Sequence, residues 1–571
     1  MLAWSRRLTF RQLYASGLLI LLGAIIIPPV VILLHTSFRT GAPGSTATYT
    51  LDNWQALAEP GQLEALKNTL VIAALTSLIA VPVAFFFAWV ELQSDAPFVR
   101  RLAFLLIVPL VFSPLLTTIA WTILASPRAG LVNVFARDVF GIDTLFNIYS
   151  MPGMVFVSTL YLTPIAYLTI RSSLKNVDAS TFEAARSFGA SAWGATRRVL
   201  IPLMAPALGA AFLLTFTINV GLFSVVTLLG PTSRIATLQL DVYFSMVEAP
   251  TDPSHAATVA MLLLLLTLLN LTIYRRFLSN PKRFTTLTGR GFRANRVNLG
   301  PWRYVAFAVM VIYLLLAIGL PYLSLVYGAF APYLSPEINF GNLGTQNFEA
   351  FFGRSEMITG LRNTAVLVTI GAAVTVVIAT SVGYLVRRLR GTVARGLETV
   401  SLLPLAIPSL SFALGLLWFV LSFGAGREYL YGTIFVIYLA QMANFLPLGV
   451  QIVASGVVHL GDEMEDAGKV SGAGGLARMR RIVLPLLRPA IASAWIVLAL
   501  EASVEAGLSV FLYTGKSVTT AVNVFNNALF GLPNVMYAGS LILATFGLAA
   551  ILIGNWAFGT GKYLQSSRTG S

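Results

Sequence analysis

The chain has 571 residues, 57% hydrophobic and 11% charged, with a formal net charge of +15 and no cysteine. A soluble chain of this length carries roughly twice that share of charge, and recurring runs of about 20 apolar residues point instead to a polytopic helical membrane protein. The missing cysteine excludes a disulfide framework, a thiolate metal site and a cysteine nucleophile. The basic excess sits between apolar runs, where membrane topology and anionic headgroups account for it better than nucleic acid does.

In chain order, Arg6, Arg7 and Arg11 precede an apolar run from about Leu18 to Leu34. That run is long for a signal peptide and lacks a small-residue cleavage site, so it reads as a first membrane helix with its basic flank inside. Hydropathy predicts twelve spans, the first half at roughly 15–37, 66–92, 102–125, 151–172, 203–229 and 256–276. The second half follows at roughly 303–327, 362–386, 398–423, 432–455, 490–513 and 535–557. We therefore divide the chain into a first half over 1–280, a basic linker over 281–302 and a second half over 303–571. The linker region from Arg275 to Arg303 is rich in arginine, as are the loops at Arg100–Arg101 and Arg387–Arg395, which places these on the inner side with both termini.

Two polar, basic blocks interrupt the apolar runs. The first spans Glu183 to Pro202, and its residues predict two short helices around a turn. Gly189 can take the left-handed conformation that closes a helix, Ser191 can cap the next, and Pro202 suits the first turn of the following span. The second block runs from Asp466 to Pro485 and aligns with the first when the prolines are superposed, pairing Glu183 with Asp466 and Gly189 with Gly472. It lacks a serine cap, and Gly474 and Gly475 predict a second helix that starts later or is looser. The halves also match at Asn68-Thr69 and Asn363-Thr364, Pro109 and Pro404, Trp121 and Trp418, and Pro164 and Pro447. This is a duplication with parallel topology, since six spans return the chain to its starting side.

Both blocks resemble the EAA loop of binding-protein-dependent ABC transporter permeases: Glu-Ala-Ala, three residues, Gly, nine residues, Ile-x-Leu-Pro. The first copy has Glu183, Ala184, Ala185, Gly189 and Pro202, departing at Val199 and Ile201. The second has Asp466 for Glu, Ala467, Gly468 for the second Ala, Gly472, Ile482, Leu484 and Pro485. The resemblance implies an all-α integral membrane protein of two tandem six-helix repeats, of the type I, MetI-like permease fold. It also implies that each loop docks on one of two copies of a cytoplasmic ATPase subunit. That partner would bind ATP and magnesium, and an extracytoplasmic solute-binding protein would deliver the solute. The stretch from Val504 to Tyr513 is similar to one in ferric-iron permeases, with Val504 where those have Arg. Ferric iron is thus the expected solute, with thiamine, phosphonate or polyamine as alternatives.

No catalytic constellation is present. His35, His255 and His459 lack metal-ligand spacing, and Gly515-Lys516-Ser517 lacks the earlier glycine of a phosphate loop. The chain itself is therefore expected to need no cofactor. Glu501 and Glu505 lie four apart in an apolar run, which puts them on one face if the helix continues. Intramembrane carboxylates face a cavity, a partner or a pathway, so these two are candidate pathway residues, with Asn219 as the nearest polar counterpart in the first half. A purely structural hydrogen bond is the competing reading, particularly for Glu505. Two functions from other classes fit the composition: a proton-coupled secondary transporter using Glu501 and Glu505, and a non-transporting scaffold.

Overall fold

The computed structural model describes residues 10–41, 47–110, 112–177, 187–189, 191–278, 297–335 and 340–558. Glu183, Ala184 and Ala185 lie outside them, as does most of the linker. Among the described residues the secondary structure is helical apart from two isolated β-bridges.

The first half supplies α1 (Phe10–Ser37), α2 (Pro60–Gln93), the bent pair α3 (Val99–Leu110 with Pro114–Ala125), α4 (Met151–Lys175), α5 (Ile201–Val220) and α6 (Pro253–Leu278). The second supplies α7 (Trp302–Phe330), α8 (Ser355–Arg388), the bent pair α9 (Thr392–Ala406 with Ser409–Ser422), α10 (Ile434–His459), α11 (Leu484–Val504) and α12 (Pro533–Phe558). Ten of these are long and apolar enough to cross a membrane on their own. The packing settles how the two bent pairs run. Arg171, near the end of α4, donates to both carboxylate oxygens of Glu91 near the end of α2, each at 2.6 Å. Leu75 and Ile79, midway along α2, line one groove with Met151 and Val155 at the start of α4. Helices α2 and α4 therefore run parallel, so the chain between them must cross back.

The same holds for α8 and α10. A Cβ at Gly371 would meet the Tyr438 ring at 3.2 Å, and one at Gly383 would meet the Val450 carbonyl at 3.1 Å. Both bent pairs are thus complete crossings, broken where proline removes a backbone donor. Pro114 begins the outgoing half of α3, where the Ser113 hydroxyl accepts from Leu116 N at 3.3 Å. The two halves of α9 meet at a bend of 110° next to Pro408. Counting each bent pair as one span, the described residues hold up to twelve crossings.

The chain forms two compact units that exchange a helix relative to the sequence halves. One unit comprises Met1–Thr50, Phe351–Asn527 and Ile542–Ser571; the other comprises Leu51–Ala350 and Ala528–Leu541. Helix α1 thus packs with the second half, where Gly415 lies so close to Pro29 that an added Cβ would meet its carbonyl oxygen at 2.4 Å. Helix α7 packs with the first half: Tyr313 donates to the Leu160 carbonyl at 2.9 Å and its ring lies 4.9 Å from that of Phe87.

Two predicted spans are shorter than their apolar runs. Helix α5 ends at Val220 and α11 at Val504, after which the apolar chain continues in short helices and turns. Hydropathy measures transfer out of water and does not see that the backbone has left the helix.

Candidate functional site

Where they are described, over 187–189 and 191–202 in the first and 466–485 in the second, the two polar blocks are knuckles that follow the same backbone path. Gly189 and Gly472 take φ of +85° and +75°, the left-handed conformation expected of them. In the second knuckle the helix Gly461–Val470 closes with Gly472 N donating to Lys469 O and Ala473 N to Gly468 O, both at 3.0 Å. This pair of bonds is a Schellman closure. Past the turn, Ser191 caps the helix Ala192–Ala195 by accepting from Gly194 N at 3.0 Å. The helix Gly475–Arg478 starts at the aligned position with Gly474 as an uncapped N-terminus, so the second helix does not start later than the first. Both then widen into a π turn, Thr196–Leu200 and Met479–Val483, closed by Ile201 N on Thr196 O and by Leu484 N on Met479 O. Pro202 and Pro485 sit one residue beyond and offer no N–H to the preceding turn, which explains why the widening falls there in both copies.

The departures from the loop pattern also have a local reason. A Cβ at Gly468 would lie 2.7 Å from Cδ1 of Ile482 and 3.1 Å from Cδ of Arg478, so glycine lets the knuckle's two arms close on each other. Asp466 points to water and pairs with Lys469 one turn on; that hydrogen bond holds its carboxyl below the usual range. The tips of both knuckles are apolar and open: Phe188 is 92% exposed, Val470 91% and Leu476 84%.

The knuckles are held to their units differently. In the second, Glu465 is 6% exposed although it lies beside exposed Asp466. Its carboxylate accepts from Tyr384 Oη at 3.0 Å and Arg11 Nη2 at 3.4 Å, and pairs with Arg388 Nε at 3.1 Å. In the first, Val297 forms a parallel bridge with Ser94 and packs with Leu299 against Ala195 of the knuckle and Trp89 of α2. Sequence reasoning missed both arrangements.

The repeated Asn-Thr pairs prove to be clamps at the other end of each unit. Asn68 donates to Ala236 O at 2.9 Å, while Thr69 Oγ1 accepts from Leu238 N at 3.0 Å. Asn363 donates to Lys516 O and Val518 O at 3.0 and 2.8 Å, and Thr364 Oγ1 accepts from Thr520 N at 3.0 Å. Each pair pins the irregular stretch that follows its unit's shortened span.

The candidate pathway residues lie near those stretches. Glu501 is on the last turn of α11, but Glu505 stands beyond its end in an extended conformation, so the two do not share a helix face. Glu505 Oε1 accepts from Leu508 N at 2.6 Å and Oε2 from Ser509 Oγ at 3.3 Å, which makes it the cap of the following turn. Glu501 is half-buried with no hydrogen bond or ion pair among the described residues. Asn219, in the other unit, is 3% exposed, and its side-chain nitrogen has no hydrogen-bond partner among the described residues.

A family model described as "Binding-protein-dependent transport system inner membrane component" matches residues 65–279 and 375–559. Each matched segment contains one knuckle and leaves out one exchanged helix. The chain is 25% identical over 467 residues to the ferric transport system permease protein FbpB of Actinobacillus pleuropneumoniae, covering 81% of this chain and 66% of the relative. It thus spans slightly less than two thirds of that protein's length. It is 27% identical over 567 residues to the probable ABC transporter permease y4fN of Sinorhizobium fredii, covering 95% and 96% of the two chains. The spermidine/putrescine permease PotB of Escherichia coli is 32% identical over 205 residues, 35% of this chain and 74% of the relative. Among solved structures, a bacterial alginate ABC transporter in complex with a pentasaccharide-bound periplasmic protein aligns over 42% of this chain and 85% of its own, with a TM-score of 0.34 at 15% identity. The chain is a multi-pass membrane protein and belongs to the family of binding-protein-dependent transport system inner membrane components.

Proposed function

We propose that this chain is the membrane-spanning subunit of an ATP-driven importer and that its solute is ferric iron. The observation that carries the reading is the pair of matched knuckles, each turning at a glycine of positive φ and apolar at its tip. Exposed Phe188, Val470 and Leu476 on otherwise basic loops are unfavourable in water and favourable under a partner. The partner is a cytoplasmic ATPase, one copy to each knuckle, which binds ATP and magnesium. Closure of the ATPase pair moves both knuckles, and α5 and α11, which continue from them past Pro202 and Pro485, carry the motion into the membrane. The cations on the knuckle side, Arg100, Arg101, Arg387, Arg390 and Arg395, support a cytoplasmic location for that side and for both termini.

An extracytoplasmic binding protein delivers the iron at the opposite side, where the Asn-Thr clamps fix the stretches after α5 and α11. Glu501, with a carboxylate that no neighbour neutralises, is the better candidate to meet a cation on its way, because Glu505 is committed to its cap. Ferric iron is favoured over polyamine because the ferric permeases align over most of the chain and PotB over about a third of it. Uptake of radiolabelled ferric iron in cells lacking this gene, and in cells whose partner ATPase is inactivated, tests the reading. Loss of uptake in both strains supports importer and solute together. Retained iron uptake shifts the solute to polyamine, thiamine or phosphonate. Uptake that requires the chain but not the ATPase overturns the importer reading.

A further inference from the structure

We propose that each knuckle is latched to its unit by the segment leading into the exchanged helix, with Glu465 as the positioning residue of the second latch. Arg11 stands at the start of α1, and Val297 and Leu299 stand just before α7; these helices are the two exchanged ones. Each segment meets both a knuckle and one equivalent position of the long neighbouring span, Trp89 of α2 and Tyr384 of α8. Trp89 and Tyr384 stand at the same spacing as the paired Asn68 and Asn363.

The chemistry of the two latches is opposite. On the first knuckle Val297 is 2% and Ala195 1% exposed, and the bridge adds Val297 N to Gln93 O at 2.7 Å and Leu299 N to Asp95 Oδ1 at 3.0 Å. On the second, the guanidinium of Arg11 lies 5.6 Å from the Tyr384 ring centre and reaches the Glu465 carboxylate that Tyr384 and Arg388 also hold. Arg388 further donates to Gly461 O at 3.1 Å, at the first residue of the knuckle helix. A carboxylate this buried is stable only while its cations are in place, and losing one partner of such a set is strongly destabilising. The second knuckle is therefore fixed by charge, through its first helix. The first is fixed by apolar contact, through its second helix.

The consequence for transport rests on the reading of the knuckles as ATPase docks, but the latch itself can be measured without an ATPase. The natural chain has no cysteine, so a nitroxide on Val470→Cys or Phe188→Cys reports one knuckle in the full chain held in a lipid nanodisc. Glu465→Ala is expected to mobilise the label at 470 and leave that at 188 unchanged; Arg11→Gln, at the rim of the cluster, should do so partly. Val297→Ser is expected to do the converse. With the ATPase present, Glu465→Gln should lower uptake per ATP hydrolysed by at least about fivefold, the scale of a typical coupling energy, while ATPase co-purification stays constant. An unmoved label at 470 in both Glu465→Ala and Arg11→Gln, or equal motion of both labels, overturns the latch. Labels that respond as expected in a chain whose uptake ignores the ATPase would keep the latch and remove the importer reading.

Discussion

The first knuckle turns at Gly189 and the second at Gly472, and both widen into a π turn before proline, yet few side chains around the two turns match. Ser191 caps one second helix and nothing caps the other, and Ala195 of one aligns with Arg478 of the other. What the copies share is a backbone path set by a glycine that must take positive φ and a proline that cannot donate. What differs is the side-chain chemistry that fastens this path to the membrane helices. A duplicated machine part keeps its shape through a few conformationally special residues, and its attachments are free to diverge.

The largest expected effect tests the shared backbone. Gly189→Arg or Gly472→Arg forces a side chain into the left-handed region at about 1–2 kcal/mol and puts a charge beside the apolar tip. Each variant should abolish uptake while reaching the membrane at normal abundance; normal uptake in only one would break the equivalence of the knuckles, and normal uptake in both would remove their role in transport. Next come the clamps. Asn363→Ala strips two carbonyls of a donor and Asn68→Ala one, at about 1–3 kcal/mol for each buried group left unpaired. Thermal unfolding in detergent should rank Asn363→Ala as the less stable, and the reverse order would show that the number of carbonyls held does not set the strength of a clamp.

Glu505 gives a smaller and more selective effect. Glu505→Gln keeps an oxygen for Leu508 N, whereas Glu505→Ala removes the cap, worth about 1 kcal/mol. Uptake should survive in the first variant and fall in the second; equal loss in both would return Glu505 to the pathway. Smallest is Asp466→Asn, a change in an exposed pair, for which uptake and stability should both match the parent chain.

Much of this organisation is legible in the sequence. The ten to twelve apolar spans, the duplication, the knuckle turns and the Ser191 cap follow from hydropathy, glycine, proline and capping rules. The ends of α5 and α11 are not, because an apolar run does not say where its backbone stops being helical, and the Glu505 cap depends on a turn that only the fold creates. The helix exchange is equally hidden, since hydropathy names a span without naming its neighbours. Nothing in the local sequence sets Glu465 apart from Asp466, because its partners Tyr384 and Arg11 stand 81 and 454 residues away. The Asn-Thr pairs were visible as repeat markers, and only the contacts give them a role.

The most direct test of the account uses vesicles holding this chain, its partner ATPase and ferric iron presented by the binding protein. ATP-driven iron uptake should be present with the natural chain. With Phe188→Asp and Val470→Asp combined, uptake and ATPase retention on the membrane should be lost together. Iron uptake that proceeds without ATP, or that persists in the double variant with the ATPase still bound, would contradict the claim that the apolar knuckle tips couple an ATPase to this permease.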